Sequence, residues 1–171
     1  MSDFLTLARE RYSCRKFSDA PVEPEKIDAL IAAAVAAPTA VDKQPWHAWI
    51  IQSPDALETV RENTPYGFSA PLIVAVGAKE DEAWVRSFDG RNFADVDASI
   101  VATHIMLAAH SLGLGSTWVG KFDAGALKQA FPQMQGYDLI ALFPLGYPAD
   151  DAEPAPRHTM RKSADELVSR I

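Results

Sequence analysis

The feature that most restricts how this chain folds is the unbroken apolar run from Leu72 to Val76. A strand with one face in water alternates apolar and polar residues. A continuous short apolar run is instead typical of a strand that is covered on both faces. The run therefore predicts a strand that is buried on both sides of its sheet.

Residue types and spacing predict the elements around this strand. Aromatic and β-branched residues indicate further strands at 46–51, 117–119 and 139–145. Helical spacing indicates helices at 4–12, 24–37, 55–62, 95–112 and 124–131, and Ser163 and Glu166 form a capping-box pattern before a last short helix. Ser2 is the candidate cap of the first helix and Asp95 that of the long one, whose apolar residues predict burial nearly all round. Helices that alternate irregularly with about four strands indicate an α+β or α/β fold.

Size and charge narrow the function classes. The 171 residues fit one domain, 1–171, and the net charge of −7 argues against binding nucleic acid or an anionic membrane, because both attract clustered positive charge. Cys14 is the one cysteine, so no disulfide forms within the chain, which suits a reducing compartment. The N-terminus lacks a signal-peptide pattern, and no apolar run approaches the length of a membrane span. We therefore expect a cytoplasmic protein.

Three cations and a hydroxyl group cluster between Arg11 and Phe17, where the first helix is expected to end. Arginine presents a rigid fork of donors to phosphate oxygens, and serine adds a small donor. Arg11, Ser13 and Arg15 can therefore hold a phosphate or a planar anion. Taken alone, the segment is better explained as a solvated basic face that stabilises the end of a helix.

Two further segments have features of ligand-binding loops. Between Pro38 and Trp46, small residues allow the backbone to approach a flat ligand, and Gln44 carries both a donor and an acceptor; a plain connecting loop is the alternative. The glycine-rich segment 113–122 lacks the third glycine of a dinucleotide fingerprint and the Ser or Thr of a phosphate-binding loop, so neither motif is assigned. The four histidines show no metal-ligand pattern, and we expect no metal site.

Together and in this order, these segments resemble the FMN-dependent nitroreductase family. The matching pieces are Arg11-x-Ser13-x-Arg15-x-Phe17, Pro38-Thr39 through Gln44-Pro45-Trp46, Leu112-Gly113-Leu114-Gly115-x-Thr117 with Gly120, and Arg161-Lys162 before Glu166-Leu167-Val168. Each piece is weak alone, but the ordered set covers nearly the whole chain. The resemblance implies an α+β three-layer sandwich, with a mixed, mainly antiparallel sheet flanked by helices. It also implies an intertwined homodimer with FMN at the subunit interface.

The resemblance further implies roles for the residues at the two chain ends and in the glycine-rich segment. Arg11 and Ser13 would hold the phosphate and ribityl end of FMN, and Arg15 would lie near flavin N1 and O2. Arg161, with Lys162 as a weaker choice, would complete the phosphate site. The backbone amide of Gly120 would donate to flavin N5.

The resemblance implies that the 38–44 loop contacts the FMN bound by the second subunit. Pro38, Thr39 and Ala40 would reach the FMN of the partner subunit, and Gln44 would bond the flavin or its tail. Asp42 stands where the family often has Asn, and a carboxylate there would be repelled by a ligand phosphate, so its role is open.

The implied activity is a ping-pong oxidoreductase cycle, in which NAD(P)H gives hydride to flavin N5 and a small acceptor then takes the electrons. Arg15 and the Gly120 amide would be the catalytic groups, because a cation near N1 and O2 favours the negative charge of the reduced flavin. The acceptors could be nitroaromatics, quinones, enones or free flavin. Trp84, Phe88 and Phe93 either stack on the acceptor or belong to a lid or core.

Three other functions are open at this point. The chain could be a flavin-binding redox sensor or carrier without reductase turnover. It could be an enzyme on the same scaffold with other chemistry, such as flavin fragmentation or reductive dehalogenation. It could also be a small binding domain without flavin.

Overall fold

The computed structural model describes residues 4–171, so Ser2, the candidate cap of the first helix, lies outside the described residues. The elements in chain order are α1 (Phe4–Glu10), α2 (Pro24–Val35), β1 (Trp46–Ile51), α3 (Pro54–Glu62), β2 (Leu72–Ala78), α4 (Ala94–Ser111), β3 (Gly115–Ser116), α5 (Ala124–Ala130), β4 (Asp138–Gly146) and α6 (Ala164–Leu167). Short 3-10 turns lie at Ala40–Asp42, Pro132–Met134 and Pro156–His158.

The four strands form one sheet in the order β1-β2-β4-β3, and each neighbouring pair is antiparallel. Every residue of β2 is buried. Leu72 and Val74 belong to the core shared with α2 and α4, whereas Ile73 and Ala75 belong to the core shared with α3 and α5. Because successive side chains of a strand point to opposite faces, both sets must be apolar. The predicted α+β fold with helices on both faces of the sheet is therefore confirmed.

In the single chain the long helix α4 is less covered than its sequence predicts, because seven of its residues are buried and nine are only partly buried. Of its 18 residues, only Asp95 and Ser111 are exposed. The prediction that Asp95 caps this helix was wrong, because the helix already begins at Ala94. Asn92 lies two residues before the helix, and its side-chain oxygen accepts a hydrogen bond from the Ala94 amide at 2.9 Å. Within residues 4–171, neither α4 nor another helix is long and apolar enough to cross a bilayer.

The strand predicted at 117–119 was wrong by two residues. The paired residues are Gly115 and Ser116, and Val119 meets β4 only through an isolated bridge to Leu142. Branched and aromatic residue types suggested the later position, but the register depends on how closely the backbone can approach. A Cβ atom on Gly115 would lie 2.7 Å from the Cβ of Cys14.

The N-terminal segment after α1 is fixed along β3 and the start of the C-terminal segment. Ser13 forms a parallel bridge with Ser116, and Phe17 forms an antiparallel bridge with Pro148. The Cys14 amide donates to the Ser116 carbonyl oxygen at 2.9 Å. These bonds bring residues from the two ends of the chain side by side.

Replacing Gly115 by alanine tests this close approach. The new Cβ would lie 2.7 Å from Cys14 Cβ and 2.8 Å from its Sγ. Gly115→Ala should therefore lower the free energy of unfolding by about 1–3 kcal/mol through overpacking, as measured by urea denaturation followed by circular dichroism. Gly125→Ala in α5 is the control, because its Cβ would come no closer than 3.4 Å to Asp123 and should be neutral or stabilising by up to about 1 kcal/mol. Equal losses in both variants would contradict the packing argument.

Candidate functional site

A cavity of about 120 Å³ lies where the two ends of the chain meet. We call it the cation cavity, and it is lined by Arg11, Ser13, Arg15, Ala155, Arg157, His158 and Arg161. Four of these residues were singled out in the sequence: two arginines and a serine from the N-terminal segment, and Arg161 from the C-terminal one. Among the described residues that line it, four are arginines and none is a carboxylate.

The charges in the cation cavity oppose one another. The pKa of Arg11 is lowered from its ordinary value, first by burial and then by the positive charge of Arg161. Arg161 Nη1 donates to the carbonyl oxygens of Arg157 and Met160 at 2.9 and 3.0 Å, and Arg15 Nη1 donates to that of Ser13 at 3.1 Å. Each guanidinium carries five N–H donors, so several remain for a ligand. A bound anion with several acceptor oxygens would offset the repulsion and use these donors.

The sequence reasoning missed two residues of this cavity. Arg157 was not singled out, and His158 was considered only among the histidines that show no metal-ligand pattern. The His158 ring packs edge-on against Tyr12, with ring centroids 6.4 Å apart. The spacing of four residues between Arg157 and Arg161, next to a predicted anion-binding arginine, is the signal that could have found Arg157.

A second cavity of about 220 Å³ shares Arg15 with the first. We call it the Gly120 cavity, and its other lining residues are Tyr66, Phe68, Thr117, Trp118, Val119, Gly120 and Lys121. The aromatic residues of this set lie in the turns after α3 or within the glycine-rich segment, and no role was predicted for them from the sequence. The shared arginine makes the two cavities parts of one candidate site.

Hydrogen bonds fix the residues on both sides of Gly120, while the space that a side chain would occupy at Gly120 is empty. Val119 exchanges backbone hydrogen bonds with Leu142 at 2.9 and 3.0 Å, and the Thr64 hydroxyl donates to the Lys121 carbonyl oxygen at 2.7 Å. A Cβ on Gly120 would meet no heavy atom within 4 Å among the described residues, and its φ is not in the left-handed region. Nothing within the described chain therefore requires glycine here, whereas a ligand that approaches the backbone closely would.

The 38–44 loop lines neither cavity in the single chain, so Pro38, Thr39, Ala40 and Gln44 lie apart from the cations. Its backbone is strained: Val41, Asp42 and Gln44 have φ values of 46°, 55° and 50°. Such conformations cost about 1–3 kcal/mol each and are often found in functional segments.

Asp42 has a partner within this loop. Its Oδ1 accepts a hydrogen bond from Gln44 Nε2 at 2.9 Å. A carboxylate at this position therefore holds the Gln44 side chain through one of the two hydrogens on its Nε2. The carbonyl oxygen of that side chain and the second hydrogen remain for a ligand.

Four other predicted residues also lie outside the two cavities. The rings of Trp84 and Phe93 pack edge-on at 5.0 Å, and Phe88 is 95% exposed between them in sequence. Lys162 is exposed beside Arg161. A role for these residues toward a ligand stays a prediction.

Comparison with known proteins gives consistent matches along the chain. A family model described as Nitroreductase family matches residues 8–66 and 61–147. A Methanothermobacter thermautotrophicus protein, named for an unproven NADH dehydrogenase/NAD(P)H nitroreductase activity, is 33% identical in an alignment of 156 positions that covers 87% of this chain and 79% of the relative.

Solved structures show the same fold. A nitroreductase family protein from Clostridium difficile 630 superimposes with a TM-score of 0.91 at 34% identity, covering 98% of each chain. A Desulfovibrio desulfuricans protein determined in complex with FMN has a TM-score of 0.83 at 23% identity, covering 100% of this chain and 98% of its own, and shows likeness of fold alone.

The opposed charges predict that inorganic phosphate stabilises the protein through Arg161. Arg161→Gln should weaken phosphate binding about 10-fold or more, since a hydrogen bond to a charged group contributes about 1.5–3 kcal/mol. Thermal unfolding in phosphate and in chloride at equal ionic strength measures the effect. Arg170→Gln, in the same terminal segment and outside the cavity, should behave like the wild type. Phosphate stabilisation that persists unchanged in Arg161→Gln would remove this residue from the anion site.

Proposed function

The chain belongs to the nitroreductase family, and from that premise we propose that it is an NAD(P)H-dependent oxidoreductase that holds FMN across its two cavities. The observation that carries the proposal is the meeting of Arg11, Arg15 and Arg161 in one cavity that shares Arg15 with the Gly120 cavity. The first cavity matches the phosphate of FMN and the second its flat ring system.

The residues present fit this cofactor on physical grounds. A phosphate monoester carries about 1.5–2 negative charges and three acceptor oxygens. It would therefore neutralise the clustered guanidinium groups and accept their free N–H donors. The Gly120 cavity combines aromatic side chains with an open backbone position, as a flat aromatic ligand requires. Arg11, Ser13 and Arg161, with Arg157 and Lys162 as further cations, would hold the phosphate end.

Bound in this way, FMN would supply the redox chemistry between NAD(P)H and a small acceptor, and we propose that the two react in ping-pong order. Arg15 lies at the junction of the cavities, so its fixed positive charge favours negative charge on the ring system. The Gly120 amide presents a donor whose position is set by Val119 and Lys121 on either side. No side-chain acid or base is needed for this assignment.

The aromatic lining of the Gly120 cavity supports the proposed acceptor class. That lining suits a flat molecule that stacks, such as a nitroaromatic, a quinone, an enone or free flavin. Trp84, Phe88 and Phe93 are assigned to this acceptor as residues that a partner subunit would contribute, because they lie outside the cavities of their own chain.

We propose that the protein is a homodimer because its C-terminal segment exposes apolar side chains that a second chain could cover. The C-terminal segment beyond Arg161 exposes large apolar side chains, including Leu167, Val168 and Ile171. Exposed apolar residues of this kind in one segment indicate a surface that another chain covers. A partner subunit would also give the 38–44 loop a ligand to contact.

Titration of the purified protein with FMN and then with NADH or NADPH, without oxygen, tests the proposed function. The protein should bind FMN more tightly than riboflavin, because only FMN carries the phosphate that the cation cavity requires. NADH or NADPH should bleach the visible flavin absorption, and an acceptor should restore it. Sedimentation of the same sample should give the mass of two chains. Protein that takes up no FMN would overturn the proposal, and bleaching that no acceptor reverses would indicate a carrier.

Arg15→Ala tests the residue that joins the cavities. It should weaken FMN binding and slow flavin reduction, each by about 10-fold or more, because one charge-assisted hydrogen bond contributes about 1.5–3 kcal/mol. Arg15→Lys keeps the charge but loses the planar fork, so its FMN affinity and its rate of flavin reduction should lie between those of the wild type and Arg15→Ala. Lys16→Ala is the control, because Lys16 pairs at the surface with Asp151 at 2.5 Å and surface pairs contribute little. Wild-type values in Arg15→Ala would end its assignment as a catalytic residue.

A further inference from the structure

Asp97 is a buried carboxylate that the proposed mechanism does not use. It lies in the first turn of α4 and is only 1% exposed. Its Oδ1 accepts a hydrogen bond from the Ala40 amide at 2.8 Å, and its Oδ2 is buried with no hydrogen-bond partner among residues 4–171. A carboxylate buried with one oxygen unpaired is costly, so its presence calls for a reason other than core stability.

The residues next to Asp97 in the helix offer its carboxylate no other polar partner. Its neighbours Ala94 and Ala98 are buried apolar residues of the same core. The N-terminus of an 18-residue helix supplies partial positive charge, which reduces the cost of the carboxylate without giving it a specific partner. The Ala40 amide is therefore the group toward which this side chain is directed.

Ala40 stands where the strained part of the 38–44 loop begins. The amides of Asp42 and Gln44 are bonded within the loop, to the carbonyl oxygen and the hydroxyl of Thr39 at 3.1 and 3.0 Å. These bonds shape the loop but do not place it against the domain. The Ala40–Asp97 bond ties the loop to α4, and the Pro45 carbonyl oxygen ties its far end to Lys79 at 2.8 Å.

We propose that Asp97 is a positioning residue that holds Ala40, and with it Pro38 and Thr39, in the conformation that contacts the FMN of the partner subunit. The inference rests on the proposed function for its ligand, but the anchoring step rests only on the observed hydrogen bond. Asp97 touches neither the cofactor nor the reacting atoms in this assignment. Its loss should therefore change FMN affinity and leave turnover at saturating FMN close to that of the wild type.

Two substitutions of nearly equal size separate the hydrogen bond from packing. Asp97→Asn keeps an acceptor oxygen for the Ala40 amide, and Asp97→Leu removes it. Hydrogen exchange of the Ala40 amide in flavin-free protein should be about 10-fold faster or more in Asp97→Leu and close to wild type in Asp97→Asn. The dissociation constant of FMN should rise about 10-fold in Asp97→Leu and less than about 3-fold in Asp97→Asn, as expected for one hydrogen bond.

Asp95→Asn is the matched control. Asp95 is the other acidic residue in the first turn of α4, and its side chain is exposed. The substitution removes the same charge from the same helix end, so exchange of the Ala40 amide and FMN affinity should stay at wild-type values. Equal effects of Asp95→Asn and Asp97→Leu would overturn the proposal in favour of a general effect on α4.

Ala40→Pro tests the same bond from the side of the loop, in case Asp97→Leu does not fold. Proline has no amide hydrogen, and it is tolerated here because Ala40 begins a 3-10 turn after an extended Thr39 with φ −131° and ψ 161°. Exchange of the Gln44 amide should quicken in Ala40→Pro, and Asp97→Asn should add nothing further in that background.

The results distinguish failure of the inference from failure of the proposed function. Wild-type exchange of the loop amides in both Asp97→Leu and Ala40→Pro would overturn the anchoring role, whatever the protein binds. Faster exchange with unchanged FMN affinity would overturn the link to the cofactor. Wild-type protein that binds no FMN would overturn the proposed function, and the exchange measurements would still decide whether Asp97 anchors the loop.

Discussion

The repulsion among guanidinium groups gathered from both ends of the chain is the constraint on which the site depends. Arg11 and Arg161 lie near opposite ends of the chain, yet they line one cavity, where burial and the positive charge of Arg161 lower the pKa of Arg11. A fold does not gain stability from such an arrangement, because like charges at close range raise its free energy. A bound anion with several oxygens would offset this electrostatic cost, which is the physical basis for the proposed phosphate ligand.

The rest of the domain keeps this arrangement in place. The N-terminal segment is bonded to β3 through Ser13 and Cys14, and Gly115 allows that approach because it has no side chain. The buried strand β2 and the two cores around it supply the rigid support. Charged groups are thus held by backbone hydrogen bonds and a tightly packed glycine, and their own mutual interactions would drive them apart.

Two local departures from low-energy structure lie next to each other in the same protein. The 38–44 loop contains three non-glycine residues in the left-handed region, and the buried carboxylate of Asp97 has one oxygen without a partner. The hydrogen bond between Ala40 and Asp97 connects them. Strain and incomplete pairing that coincide in this way are expected where a segment is shaped for a ligand and less so where it only connects elements.

The sequence by itself determined the elements whose signals are local. Neighbouring residues were enough to predict the buried strand β2, the bounds of β1 and the capping box before α6. The ordered arginine and glycine motifs can also be read directly from the sequence. It did not determine the register of β3, the start of α4, the place of Arg157 and His158 in the cation cavity, or the partner of Asp97. Those depend on distances between segments far apart in the chain. Only the tertiary structure decides them, because closeness across a packed core is set by the combined geometry of all the layers and by no single stretch of residues.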